Sequence, residues 1–214
     1  MKNVALAAVL SGSLVLSGCL AGDPVELPED TIEAAATCFA AQGMVLRGDK
    51  AETDPVTYEE FIKAIKYPMI ASTQIEPFSV ETVLKILGGA EAKAEEIKTK
   101  DFAGAVATCD ERFKSAGPIK LPENNGDAVL SCMGISSFVA GAVQSQSSEF
   151  GGEAQKVTAL SKRLETEMQS DPELLAKMIG GDPTALMMGA LKDAFASGDA
   201  DGYVAACEAR FPAK

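Results

Sequence analysis

The chain has no histidine. Without imidazole, a serine or cysteine nucleophile has no histidine base, and metal hydrolases built on imidazole ligands are excluded with it. Zinc sites of mixed Cys/His type fall for the same reason, and no Cys-x-x-Cys pair is present to replace them. Basic side chains are also scarce: 19 Lys and Arg stand against 31 Asp and Glu, a net charge of −12. Such a surface repels phosphate backbones and anionic headgroups, which argues against nucleic acid as a partner. No glycine-rich phosphate loop appears, since Gly151-Gly152 and Gly180-Gly181 read as helix stops. Alternating apolar and polar runs are missing too, so strands are not expected. What is present is an alanine-rich composition, 47% hydrophobic, that suits a folded helical protein and not a disordered tail.

The N-terminus carries Lys2, an apolar stretch from Val4 to Leu16, and then Leu16-Ser17-Gly18-Cys19. This resembles the lipobox of bacterial lipoproteins, behind a signal peptide of residues 1–18. The run is shorter than the ~20 residues a bilayer span needs, and Ser11, Gly12 and Ser13 interrupt it. The resemblance implies that the Cys19 thiol takes a diacylglyceryl group, that cleavage follows Gly18, and that the freed amine is acylated. Residues 19–26 would then be a lipidated tether, and the mature chain would keep 18 basic against 31 acidic side chains. Leu20 stands where many inner-membrane lipoproteins carry Asp, so the resemblance favours the periplasmic face of an outer membrane where a cell has two membranes. No later segment is expected to span a bilayer, because Ala128 to Val143 is short and broken by Ser131, Gly134, Ser136 and Ser137.

Beyond the leader, the cysteines measure out a duplication. Leu27-Pro28-Glu29 precedes Cys38 by the same interval at which Leu121-Pro122-Glu123 precedes Cys132. Lys85 to Gly89 resembles Lys177 to Gly181, and Asp101, Gly104, Val106, Ala107, Cys109, Arg112 and Phe113 recur as Asp199, Gly202, Val204, Ala205, Cys207, Arg210 and Phe211. Two tandem homologous units are expected, residues 27–117 and 118–214, and the fold class is all-α.

In the first unit, Asp30-x-x-Glu33 predicts a helix to about Val45, ended by Gly48. Thr57-x-x-Glu60 predicts a second, with Pro68 near its end. A third runs from Ser79 to Gly88-Gly89, charged residues from Glu91 to Lys100 make a solvated stretch, and a last helix starts near Asp101. In the second unit, Asp171-Pro172 and Asp182-Pro183 each set an N-cap acid before a proline suited to the first helical position. Val157, Leu160, Leu164 and Met168 form an apolar stripe, and Ala128 to Val143, apolar nearly all round, belongs at the centre.

With Cys19 assigned to lipid, four cysteines remain in an exported chain, and equivalent units pair Cys38 with Cys109 and Cys132 with Cys207. Each bond would join the first and last helix of its unit. The expected activity is non-enzymatic: a membrane-anchored envelope module that binds a protein partner, an immunity or inhibitor protein being one form, with no cofactor or metal. Two alternatives stay open. Met168, Met178, Met187 and Met188 could line a cavity for a small apolar ligand, or a pair of carboxylates could act on glycan. Arg112 and Arg210, each beside a phenylalanine, could grip an anionic ligand, but are expected at helix C-termini and near carboxylates as structural features.

Overall fold

A computed structural model describes residues 22–48, 50, 54, 57–146 and 151–213, without the side chains of 144–146 and 151–154. Nine helices and no strand occur among the described residues: α1 (Thr31–Arg47), α2 (Tyr58–Thr73), α3 (Val80–Ile97), α4 (Phe102–Arg112), α5 (Asn125–Gln146), α6 (Gly151–Gln169), α7 (Pro172–Gly180), α8 (Pro183–Ala196) and α9 (Ala200–Arg210).

The capping chemistry read from the sequence sets most of the starts. Asp30 accepts the Ile32 and Glu33 N–H groups at 2.9 Å each. Thr57 and Glu60 form a reciprocal capping box. Asp171 accepts from Glu173 and Leu174, both at 3.0 Å, and Asp182 from Ala185 at 3.1 Å. The last helix of each half begins with one motif. Asp101 accepts the Gly104 N–H and Asp199 the Gly202 N–H, both at 2.8 Å. The carboxylates fold so closely over these glycines that an added Cβ would lie 2.2 Å from Asp101 Oδ2 or 2.3 Å from Asp199 Oδ2. That close approach explains why Asp-x-x-Gly recurs.

Three boundaries differ from expectation. α3 does not stop at Gly88-Gly89 but continues to Ile97, because Ala90 and Ile97 extend the buried face of Val83 and Ile86. Gly89 lies inside that helix, where a Cβ would be 3.6 Å from the Ala36 Cβ of α1. Gly151-Gly152 opens α6 instead of ending a helix. α2 runs on past Pro68 to Thr73. The Lys177 to Gly181 sequence, by contrast, ends α7 with Gly181 as its cap, and Asp182-Pro183 then starts α8.

In the first half α1 carries α2, α3 and α4; in the second, α5 carries α6, α7, α8 and α9. α5 is longer than the Ala128 to Val143 run, and Asn125–Val143 is long and apolar enough to cross a membrane, yet 61% of it is buried inside the fold. Its apolar faces meet Val157, Leu160 and Leu164 of α6, Leu191 and Phe195 of α8, and Tyr203 and Val204 of α9 in one core. Phe61, Ile62, Ile65 and Met69 of α2 and Val83 of α3 belong to that same core, so the halves are not separately cored. Phe195 is central to the seam, with Phe78 and Phe138 edge-on at ring separations of 5.7 and 4.6 Å. Smaller clusters around Cys38, Tyr67 and Phe113, and around Ala41 and Ile97, complete the first half.

The stretch expected as a tether is docked from Gly22 onward. A Cβ on Gly22 would lie 2.7 Å from the Thr99 carbonyl oxygen, Asp101 N–H donates to the Asp23 carbonyl at 2.9 Å, and Val25 is buried.

Cys38 is bonded to Cys109 and Cys132 to Cys207, with Cα separations of 5.6 and 5.7 Å. The first bond joins α1 to α4 and the second α5 to α9, and all four residues are fully buried. Loops of 71 and 75 residues are closed this way. In the chain-entropy treatment each is worth roughly 4 kcal/mol, an upper figure because native strain erodes it. Replacing Cys132 and Cys207 together by Ala is expected to lower the urea midpoint by an amount corresponding to roughly 2–4 kcal/mol. Non-reducing peptide maps of the parent should yield these two linked pairs, and a Cys38–Cys132 link would contradict the arrangement.

Candidate functional site

Most groups with chemical potential are engaged in the scaffold. The four described cysteines are disulfide-bonded, and Asp30, Asp101, Asp171, Asp182 and Asp199 each cap a helix. Cys19 lies outside the described residues. Met168, Met178 and Met187 pack partly buried against the main core, and none of the four clustered methionines lines the two clefts described next. Among the described residues no group of three or more Cys, Asp or Glu is placed to hold a metal ion.

The two arginines at the ends of the last helices differ in their surroundings. Arg112 donates to the Pro28 carbonyl at 2.5 Å and the Glu29 carbonyl at 2.6 Å, and its guanidinium lies 5.7 Å from the Phe113 ring centre. Nearby, Tyr67 is fully buried, edge-on to Phe113 at 6.2 Å, with its hydroxyl donating to Asp110 at 3.0 Å. Burial, then the Asp110 carboxylate, raise the Tyr67 phenol well above its ordinary value. In the second half Arg210 is exposed and donates to the Glu123 carbonyl at 3.3 Å. Beside it is a cleft of about 450 Å³ lined by Asn125, Arg163, Thr166, Glu167, Arg210, Phe211 and Pro212. Arg163 Nε donates to the Phe211 carbonyl at 3.2 Å, and its terminal nitrogen is 3.9 Å from Glu208.

A second, shallower groove of about 800 Å³ follows the α7–α8 corner, lined by Glu173, Ala176, Lys177, Gly180, Gly181, Asp182, Ala185 and Leu186. Ile179, 85% exposed, stands at this corner. Lys177 has Asp127 at 3.6 Å, so its charge is matched within the chain and the rim keeps an acidic excess from Glu173 and Asp182.

Sequence reasoning singled out Arg210 but not Arg163, which sits on the polar side of the α6 stripe and carries no motif. Ile179 gives no signal either, because Asp182-Pro183 reads as a helix start and says nothing about what the preceding residues expose. Comparison with family models, with curated proteins and with solved structures finds no match for this chain.

One strongly perturbed carboxylate has a structural cause. Lys50 and the Thr57 N–H, at 2.8 Å, bond the Glu60 carboxylate and hold its pKa down to about 2 against the opposing effect of burial. A depressed carboxylate stabilises the fold fully above its unfolded value, near 4.5, and that contribution is lost as pH falls toward 2. Glu60→Gln is expected to cost roughly 1–2 kcal/mol at neutral pH and less at low pH. Urea midpoints at pH 6 and pH 2.5 test this, and an equal loss at both would contradict it.

Proposed function

We propose that this chain is a lipid-anchored, non-enzymatic module of the bacterial envelope that holds a protein partner through the α7–α8 corner. The reading takes residues 27–117 and 118–214 as tandem copies of one helical unit. Support comes from the matching Asp-x-x-Gly caps, the matching disulfide positions, and the Phe113 and Phe211 N–H groups that donate to Cys109 and Cys207 carbonyls at 2.8 Å alike.

The observation that carries the functional reading is where the copies part. The first has one continuous helix, α3; the second has the broken pair α7 and α8, which turns Ile179 out to solvent beside a groove with an acidic excess. Ile179 is the most exposed large apolar side chain among the described residues, ahead of Leu84 and Val45. A partner with an apolar side chain set among basic groups would complement this corner in shape and charge.

Lipid at Cys19 would hold the protein close to its membrane. Three residue steps separate Cys19 from the docked Gly22, a reach of about 11 Å at full extension. The α3–α4 junction against which Gly22 packs would therefore sit at the bilayer surface. By resemblance, that bilayer is an outer membrane with the module on its periplasmic face. Nucleic acid is not expected as a partner of so acidic a chain.

The test places a photo-crosslinking residue at Ile179, or at Glu111 as a control, in living cells that are fed a clickable fatty acid. A defined protein adduct from position 179 alone is expected, reduced several-fold by Glu173→Lys, with fatty-acid label lost in Cys19→Ser. Adducts equal at both positions, no effect of Glu173→Lys, or label retained by Cys19→Ser would overturn the reading.

A further inference from the structure

The cleft beside Arg210 asks for a different ligand from the α7–α8 corner. Two guanidinium groups line one cavity of an otherwise acidic protein. Arg163 is held in place by the Phe211 carbonyl, and Arg210 by the Glu123 carbonyl. A guanidinium is a rigid fork of five N–H donors matched to planar oxyanions. Asn125 brings the N-terminus of α5 into the same wall, adding the partial positive charge of a helix start. The opposite character is supplied by Phe211, Pro212 and Thr166, which give an apolar surface next to the donors.

Two carboxylates limit what can enter. Glu167 lines the cleft, and Glu208 lies 3.9 Å from Arg163. A dianion such as phosphate meets this negative charge twice over, whereas a single carboxylate fits two arginines already partly balanced. In the first half the arginine at the matching place is engaged instead: Arg112 is folded onto two carbonyls and over the Phe113 ring.

We propose that the Arg163–Arg210 cleft binds a monocarboxylate flanked by a small apolar group, the chemistry shared by a peptide C-terminus and a free N-acylated amino acid. The oxyanion meets Arg163 and Arg210, and the apolar flank rests on Phe211 and Pro212.

The experiment uses the full-length chain in zwitterionic detergent and follows arginine Nε–H and backbone amide resonances by NMR. Four probes are titrated: acetyl-alanine, acetyl-Ala-Ala-Ala with a free carboxylate, the same tripeptide as its amide, and inorganic phosphate. Saturable shifts of the Arg163, Arg210 and Phe211 signals are expected with the two carboxylates. The tighter of the two then assigns the source as a chain terminus or a free small acid. Arg163→Gln and Arg210→Gln should each weaken binding at least tenfold. Arg163→Lys, which keeps the charge and loses the fork, should weaken it several-fold, and Arg112→Gln should leave it unchanged. Signal dispersion reports that each variant is folded. The proposal is overturned if the amide or phosphate binds as tightly as the carboxylates, if the shifts map elsewhere, or if folded Arg163→Gln and Arg163→Lys both bind like the parent. None of these outcomes depends on a partner at Ile179.

Discussion

The main core of this fold follows from having to cover α5. A helix that is apolar on nearly every face has no side to offer to water, so other elements must surround it. Val129, Cys132, Ile135, Val139 and Val143 are each 1% exposed or less. The covering comes from α6, α8 and α9 of its own half, and α2 of the other half joins the same core by packing on α8 and α9. The packing of α2 on the helices that cover α5 welds the halves together. The need to cover α5 also explains why a helix long and apolar enough to cross a membrane lies at the centre of a packed core, where its polar Ser131 hydroxyl meets the Tyr203 hydroxyl at 2.6 Å.

Around that centre the two halves share a scaffold and differ at their rims. In each, a disulfide ties the long first helix to the short last one, and an aspartate folded over a glycine starts that last helix. The rims part in two places. α3 is one helix where α7 and α8 are two, and Arg112 is engaged by the Pro28 and Glu29 carbonyls whereas Arg210 lines a cleft. In the second half these differences leave Ile179 and Arg210 exposed.

The all-helical class was legible because the helix starts carry their own chemistry: Asp30, Thr57, Asp171 and Asp182 cap where side-chain oxygens can reach backbone donors. Helix ends were harder. Gly88-Gly89 and Gly180-Gly181 are alike in sequence, but the first pair is carried through by the buried face that Ala90 and Ile97 continue, and the second is followed by Asp-Pro, which cannot extend a helix. Glycine only permits a stop; the residues beyond it decide. Neither cleft was legible. Arg163 meets Phe211 across 48 positions of sequence, and no local pattern records that meeting. The docking of Gly22 and Asp23 was hidden for the same reason, since their neighbours Thr99 and Asp101 are distant in sequence.

The central claim is that the halves form one cooperative body around α5. Native-state hydrogen exchange of the full chain, read by mass spectrometry across a denaturant series, tests it most directly. The claim predicts that peptides from α2 and α5 share the slowest exchange and lose protection together, at the free energy of global unfolding. Loss of protection across α1 to α4 at lower denaturant, with α5 to α9 still protected, would contradict it.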